Sequence, residues 1–228
     1  SLSDLLENDL TAIKESDSED LLNVFVENEN HYDMATRNPN SFIQNYPFGE
    51  ALEDIGITSD TTYTGAGVKI GSIESGIPNN YVNLSNTTYE THGTHQTHHA
   101  FTTSSVYGGD SGIAPDAEIY FSALSNHSFL ESTDWLISRG VNIINRSNGA
   151  STGRYSSADA YADYIVKEAK VTFINSAGNS GDTNSVGSPS VGLNVISVAS
   201  NDVNLGISNF SSAGLTSPSN IRISKPTL

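Results

Sequence analysis

Five short apolar runs set the fold class: Val68–Ile73, Ala117–Leu124, Val141–Asn145, Val171–Ile174 and Asn194–Ser200. Each is too short for an amphipathic helix and too uniformly apolar for a half-exposed strand, so each reads as a strand buried on both faces. Between the later runs lie two stretches with helical spacing. Ser128–Gly140 carries Phe129, Trp135, Leu136 and Ile137 and has Gly140 as its stop, and Ser156–Lys170 carries Ala158, Ala162, Ile165 and Ala169. Strands alternating with helices predict an α/β fold with a mostly parallel central sheet flanked by helices and right-handed crossovers. The boundaries predicted are an acidic helical N-terminal extension over residues 1–45 and one domain over 46–228. In the extension, Leu2, Leu5, Leu6, Leu10 and Ile13 fall near one helical stripe, and Ser16 and Glu19 have capping-box spacing. A retained piece of a pro-segment is the other reading of that extension.

Composition narrows the partners. A net charge of -16 leaves no clustered Lys and Arg to neutralise phosphates, so no nucleic-acid partner is expected. With no cysteine, disulfides and thiolate metal sites are excluded. No apolar run approaches the ~18 residues of a membrane span, so none is expected. The opening Ser1-Leu2-Ser3-Asp4 has neither a basic region nor an apolar core, so any signal peptide is expected to be already removed. Abundant Asn, Ser and Thr beside few Lys and Arg points to a secreted or cell-surface protein, of bacterial type.

The most unusual string is Thr91-His92-Gly93-Thr94-His95-Gln96-Thr97-His98-His99. Thr91 is a good N-cap, which predicts a helix with His92 in its first turn, and Gly93 allows a second backbone to approach the imidazole. A neutral imidazole there suits a general base. Two other readings stand beside it: His92, His95 and His99 on one helical face as a metal set, or ordinary histidines, the reading preferred for His98 and His99. Glu74 closes the strand Val68–Ile73 at its carboxyl end, where open parallel sheets keep reactive groups. Gly65-Ala66-Gly67 precedes its strand, whereas a dinucleotide fingerprint follows one, so it reads as a turn.

Four blocks in this order resemble the subtilisin-like serine proteases, the subtilases: Gly67–Ile77, His92-Gly93-Thr94-His95, Val141–Ser147 and Ser176-Ala177-Gly178-Asn179-Ser180-Gly181. Weaker support comes from Gly112-Ile113-Ala114-Pro115 and Ser188-Pro189-Ser190. The resemblance implies a three-layer subtilisin-like fold and serine endopeptidase activity on peptide or protein substrates; no cofactor and no metal are expected for this sequence. It implies His92 as general base, Glu74 as the carboxylate that orients it, and Asn179 as an oxyanion donor. By the same carry-over, Ser147, Asn148 and Gly149 form the edge that pairs with an extended substrate, and Ala177 and Gly178 line the first specificity pocket.

The departures from the family pattern matter equally. The family's nucleophile sits in a Gly-Thr-Ser motif, which this sequence does not contain. These 228 residues are therefore expected to be part of a longer protein and to be inactive alone, the serine coming from a further segment or chain. Glu74 stands where the family has aspartate, Gln96–His99 where it has small residues, and Arg146 at the end of an otherwise apolar strand. Phe101–Asp110 is short and lacks an asparagine-rich loop, so calcium is not expected. A degenerate subtilase-like protein that binds peptides or partner proteins is the alternative reading.

Overall fold

All five strand pairings of the central sheet are parallel, and that sets where the functional residues emerge. In the computed structural model of the chain, the described residues are 32–33, 63–78, 89–93, 96–97, 114, 116–150, 153–181, 185–201, 206–216 and 223–228. The elements in chain order are β1 (Tyr32–Asp33), β2 (Lys69–Glu74), β3 (Ile77–Pro78), β4 (Tyr89–His92), β5 (Gln96–Thr97), β6 (Glu118–Ala123) and α1 (Phe129–Ser138). They continue with β7 (Ile143–Arg146), β8 (Asn148–Gly149), α2 (Ser157–Ala169), β9 (Thr172–Ser176), β10 (Ile196–Val198), β11 (Gly214–Thr216) and β12 (Ile223–Lys225). The sheet runs β10-β9-β7-β2-β6-β4, and β1 pairs with β8, β3 with β5 and β11 with β12 as separate two-stranded ribbons. The five apolar runs thus became β2, β6, β7, β9 and β10, and the α/β fold stands as read from the sequence.

Both described helices cover one face of the sheet. In register, Gly71 of β2 faces Ile144 and Ile144 faces Phe173, so the three share a face. A Cβ on Gly71 would meet Leu136 of α1 at 2.9 Å, and Ile144 and Phe173 cluster with Tyr161, Ala162 and Ile165 of α2. Phe173, Ile144, Leu136 and Ile165 are wholly buried, each such side chain contributing about 1.5–3 kcal/mol. The opposite face carries Ile119 and Phe121, with Ile70, Ile77 and Ala114 against them. Local signals explain where the helices begin. Ser128 and Glu131 close a capping box on α1 (Glu131 N–H to Ser128 Oγ 3.2 Å, Ser128 N–H to Glu131 Oε2 2.8 Å), and Gly140 follows α1 at φ +71°.

The histidine string departs from its expected helix. Tyr89–His92 is the edge strand β4, pairing parallel with β6, and Gln96–Thr97 is the short strand β5. The cap preference of Thr91 is a local term of about 1 kcal/mol. Against it stand a strand ladder and a clamp to α1, in which the Arg139 guanidinium grips the Glu90 carboxylate (Nε to Oε1 2.9 Å, Nη2 to Oε1 2.7 Å). Gly93 ends the strand at φ +125°, where an added Cβ would lie 2.7 Å from the Ala123 Cβ. The neighbours at this glycine are the Ala123 and Asn126 side chains rather than the second backbone expected beside the imidazole. Gly93→Ala is expected to destabilise the fold by about 1–3 kcal/mol. An unchanged urea midpoint would contradict that contact. The predicted helices of residues 1–45, and His95, His98 and His99, lie outside the described residues.

Candidate active site

At the carboxyl rim of a parallel sheet the backbone leaves its ladder, and side chains there reach the surface without breaking strand pairing. Here β2 ends on Glu74, β4 ends on His92, and β9 runs directly into Ala177-Gly178-Asn179. All three candidate catalytic residues leave this one rim. Their faces differ. His92 lies opposite Ser122, Ser122 opposite Ile73, Ile73 opposite Arg146, and Arg146 opposite Asn175, a single row on the helical face. Glu74, one residue beyond Ile73 and paired with Ala123, belongs by strand alternation to the other face. The structure brings Glu74 and His92 to one rim but not to one face.

The His92 ring stacks on His127 at a centroid distance of 3.5 Å and on Trp135 at 4.9 Å, and its Nδ1 lies 3.3 Å from Ser122 Oγ. Burial, aided by the positive charges of His127 and Arg139, holds this imidazole below its ordinary pKa, with Glu131 opposing. The lowered pKa favours the neutral imidazole, the state a general base needs. The Glu74 carboxylate is 5% exposed and accepts a long hydrogen bond of 3.5 Å from Ser72 Oγ.

The expected peptide edge is built as a strand. Asn148–Gly149 pairs antiparallel with Tyr32–Asp33, Tyr32 facing Gly149 and Asp33 facing Asn148. Ser147 precedes it, its hydroxyl taking a weak 3.4 Å bond from Asn145 Nδ2. Behind the edge the backbone is locked into a frame. Ala150 and Ser188 exchange both bonds (3.0 and 2.7 Å), and Gly187 donates to the Ala177 carbonyl at 2.8 Å. The Asn179 turn is held by Ser212, whose N–H reaches the Gly178 carbonyl at 2.9 Å and whose Oγ accepts from Ser180 N–H at 3.0 Å. Ala177 is buried and Gly178 turns at φ +112°, so small side chains line this wall.

A buried polar network beneath that frame was not foreseen. The Arg146 guanidinium is 2% exposed, lies 4.4 Å from the Phe129 ring centroid, and donates from Nε to Asn148 Oδ1 at 2.6 Å. Burial lowers its pKa to about 10, and the carboxylates of Asp159 and Glu74 oppose that fall. The Arg146 side chain is thus turned into the interior rather than across the cleft. Asp159 Oδ2 accepts from Ser188 Oγ at 2.6 Å and Ser156 Oγ at 2.7 Å. Two buried atoms here, Asn148 Nδ2 and Asp159 Oδ1, have no hydrogen-bond partner among the described residues. The Ser156-x-x-Asp159 spacing carried a capping signal, but nothing in the sequence pointed Asp159 at Ser188. Among the described residues no three His, Asp or Glu side chains converge as a metal set, and no helix is long and apolar enough to cross a membrane.

The model of the subtilase family matches residues 65–227. Subtilisin DY of Bacillus licheniformis is 30% identical over 194 residues, 75% of this chain and 70% of that protein. Two solved structures share the fold at 21% identity. The prenylagaramide maturation protease PagA superposes with a TM-score of 0.53 over 76% of this chain and 68% of its own. The psychrophilic subtilisin-like protease Apa1 of the Antarctic psychrotroph Pseudoalteromonas sp. AS-11 does so with a TM-score of 0.55 over 78% of this chain and 47% of its own.

Proposed function

Because this chain belongs to the subtilase family, we propose that it is the peptide-holding and proton-transferring part of a serine endopeptidase, acting at or beyond the cell surface. The nucleophilic serine comes from outside these 228 residues, on a further segment or chain. An extended substrate adds as an antiparallel strand to Ser147-Asn148-Gly149, and its anchoring side chain sits against Ala177 and Gly178. His92 takes the proton of the serine hydroxyl and later gives it to the leaving amine, Glu74 orients the imidazole, and the Asn179 amide donates to the oxyanion. The observation that carries this reading is the β1–β8 pairing: the same edge accepts an extended antiparallel segment of this chain.

The test is hydrolysis of casein by the full gene product and by the 228-residue chain side by side. The full product is expected to cleave it and the chain alone is not. Turnover by the isolated chain contradicts the assignment of the serine. A second reading, a peptide-binding subtilase without turnover, is favoured by one observation, the His92 ring stacked on His127 and Trp135 on the face away from Glu74. No hydrolysis by the full product, with peptide binding retained, selects it.

A further inference from the structure

Arg146 and Asp159 each hold one of the two strands that meet at Ala150 and Ser188. From β7, the buried guanidinium grips the Asn148 side chain at 2.6 Å, two residues along the same chain, and rests on Phe129. Phe129 is itself wedged edge-to-face against Tyr161 (5.6 Å) and Phe173 (6.0 Å), so the platform under Arg146 is rigid. Asn148 is wholly buried, and the direction of the peptide edge is thereby set from the interior. From the first turn of α2, Asp159 holds Ser188 at 2.6 Å and Ser156 at 2.7 Å. Burial raises the pKa of Asp159, and its hydrogen bonds from Ser188 and Ser156 oppose that rise. As a source of stability this is a poor arrangement. Two of its atoms have no hydrogen-bond partner among the described residues, and an apolar pair of similar volume commonly serves a fold as well or better.

We propose that Arg146, through Asn148, is a positioning residue for the peptide edge, and that Asp159, through Ser188, holds the segment bonded to that edge at Ala150. This inference rests on the edge being the substrate-binding strand. Substrate affinity is then set by two buried side chains that make no contact with substrate.

The experiment compares Arg146→Met, Asp159→Asn and the double variant in the full gene product. Thermal midpoint, amide exchange at residues 148–150, and kinetics on a fluorogenic Ala-Ala-Ala-Phe peptide are read for each. Arg146→Met alone leaves the buried Asn148 Oδ1 without its donor and is expected to lower the midpoint. The double variant removes both charges and is expected to return the midpoint towards that of the parent. Its amides at 148–150 nevertheless exchange at least about tenfold faster. Its KM is about tenfold higher with kcat within about twofold, because a loosened edge weakens binding before it touches chemistry. If the double variant restores exchange and KM together with the midpoint, Arg146 merely neutralises Asp159 and the proposal is overturned. Absence of hydrolysis by the parent itself overturns the peptidase reading instead, and the exchange result still decides the positioning role.

Discussion

His92→Ala in the full gene product is expected to lower kcat by about 10⁶-fold, and Glu74→Gln by about 10⁴-fold, the sizes such losses take in a subtilisin. The double variant is expected to be no worse than His92→Ala alone. The reason is physical: once the base is gone, a carboxylate that only fixes its tautomer has nothing left to orient. The resting geometry makes this informative. His92 is stacked on His127 and Trp135, while Glu74 lies on the other face of the sheet. Cooperation therefore requires the imidazole to leave the stack, and Gly93, already at φ +125°, is the neighbouring joint. Losses that simply multiply in the double variant would show that the two act independently. The acid limb of kcat/KM is also expected below the range of a free imidazole, because burial and the positive charges of His127 and Arg139 keep His92 neutral as the pH falls.

Phe173→Ala is expected to cost about 3–5 kcal/mol, a large part of a domain stability of roughly 5–15 kcal/mol. Phe173 is wholly buried in β9, meets Phe129 of α1 edge-to-face at 6.0 Å, and shares its cluster with Tyr161, Ala162 and Ile165 of α2. No neighbour can collapse into the space without pulling a helix off the sheet. The urea midpoint measures it, with the slope m unchanged. A loss below about 1 kcal/mol would mean that the cluster repacks freely. Because Phe129 also supports Arg146, the same variant is expected to speed amide exchange at Asn148 and Gly149 more than at the far end of β9.

Most of the sheet was legible from its short apolar runs, and β7 and β9 lie within a residue or two of Val141–Asn145 and Val171–Ile174. Full burial on both faces did not follow, since these two strands bury alternate residues and leave Thr172 exposed. The helices were legible from spacing and caps, Ser128 with Glu131 above all. The histidine strand was not, because Thr91 carries a helix-start signal while the forces that override it come from Ser122, Trp135 and Arg139, residues distant in the chain. The candidate site divides the same way. Its positions on the rim followed from motif order, since a parallel sheet brings every strand's carboxyl end to one edge. Which face each side chain occupies did not, because a register offset of one residue exchanges faces and register is fixed only by pairing. Arg146 looked anomalous in the sequence for the same reason: the Phe129 ring it rests on lies in another element and meets it only once β7 and α1 are packed together.

The central claim is tested most directly by labelling the full gene product with a fluorophosphonate, which reacts only with a serine made nucleophilic by its base. The account predicts one labelled serine, located outside these 228 residues, and labelling abolished by His92→Ala. An unlabelled parent protein, or a labelled one indifferent to the loss of His92, would contradict it.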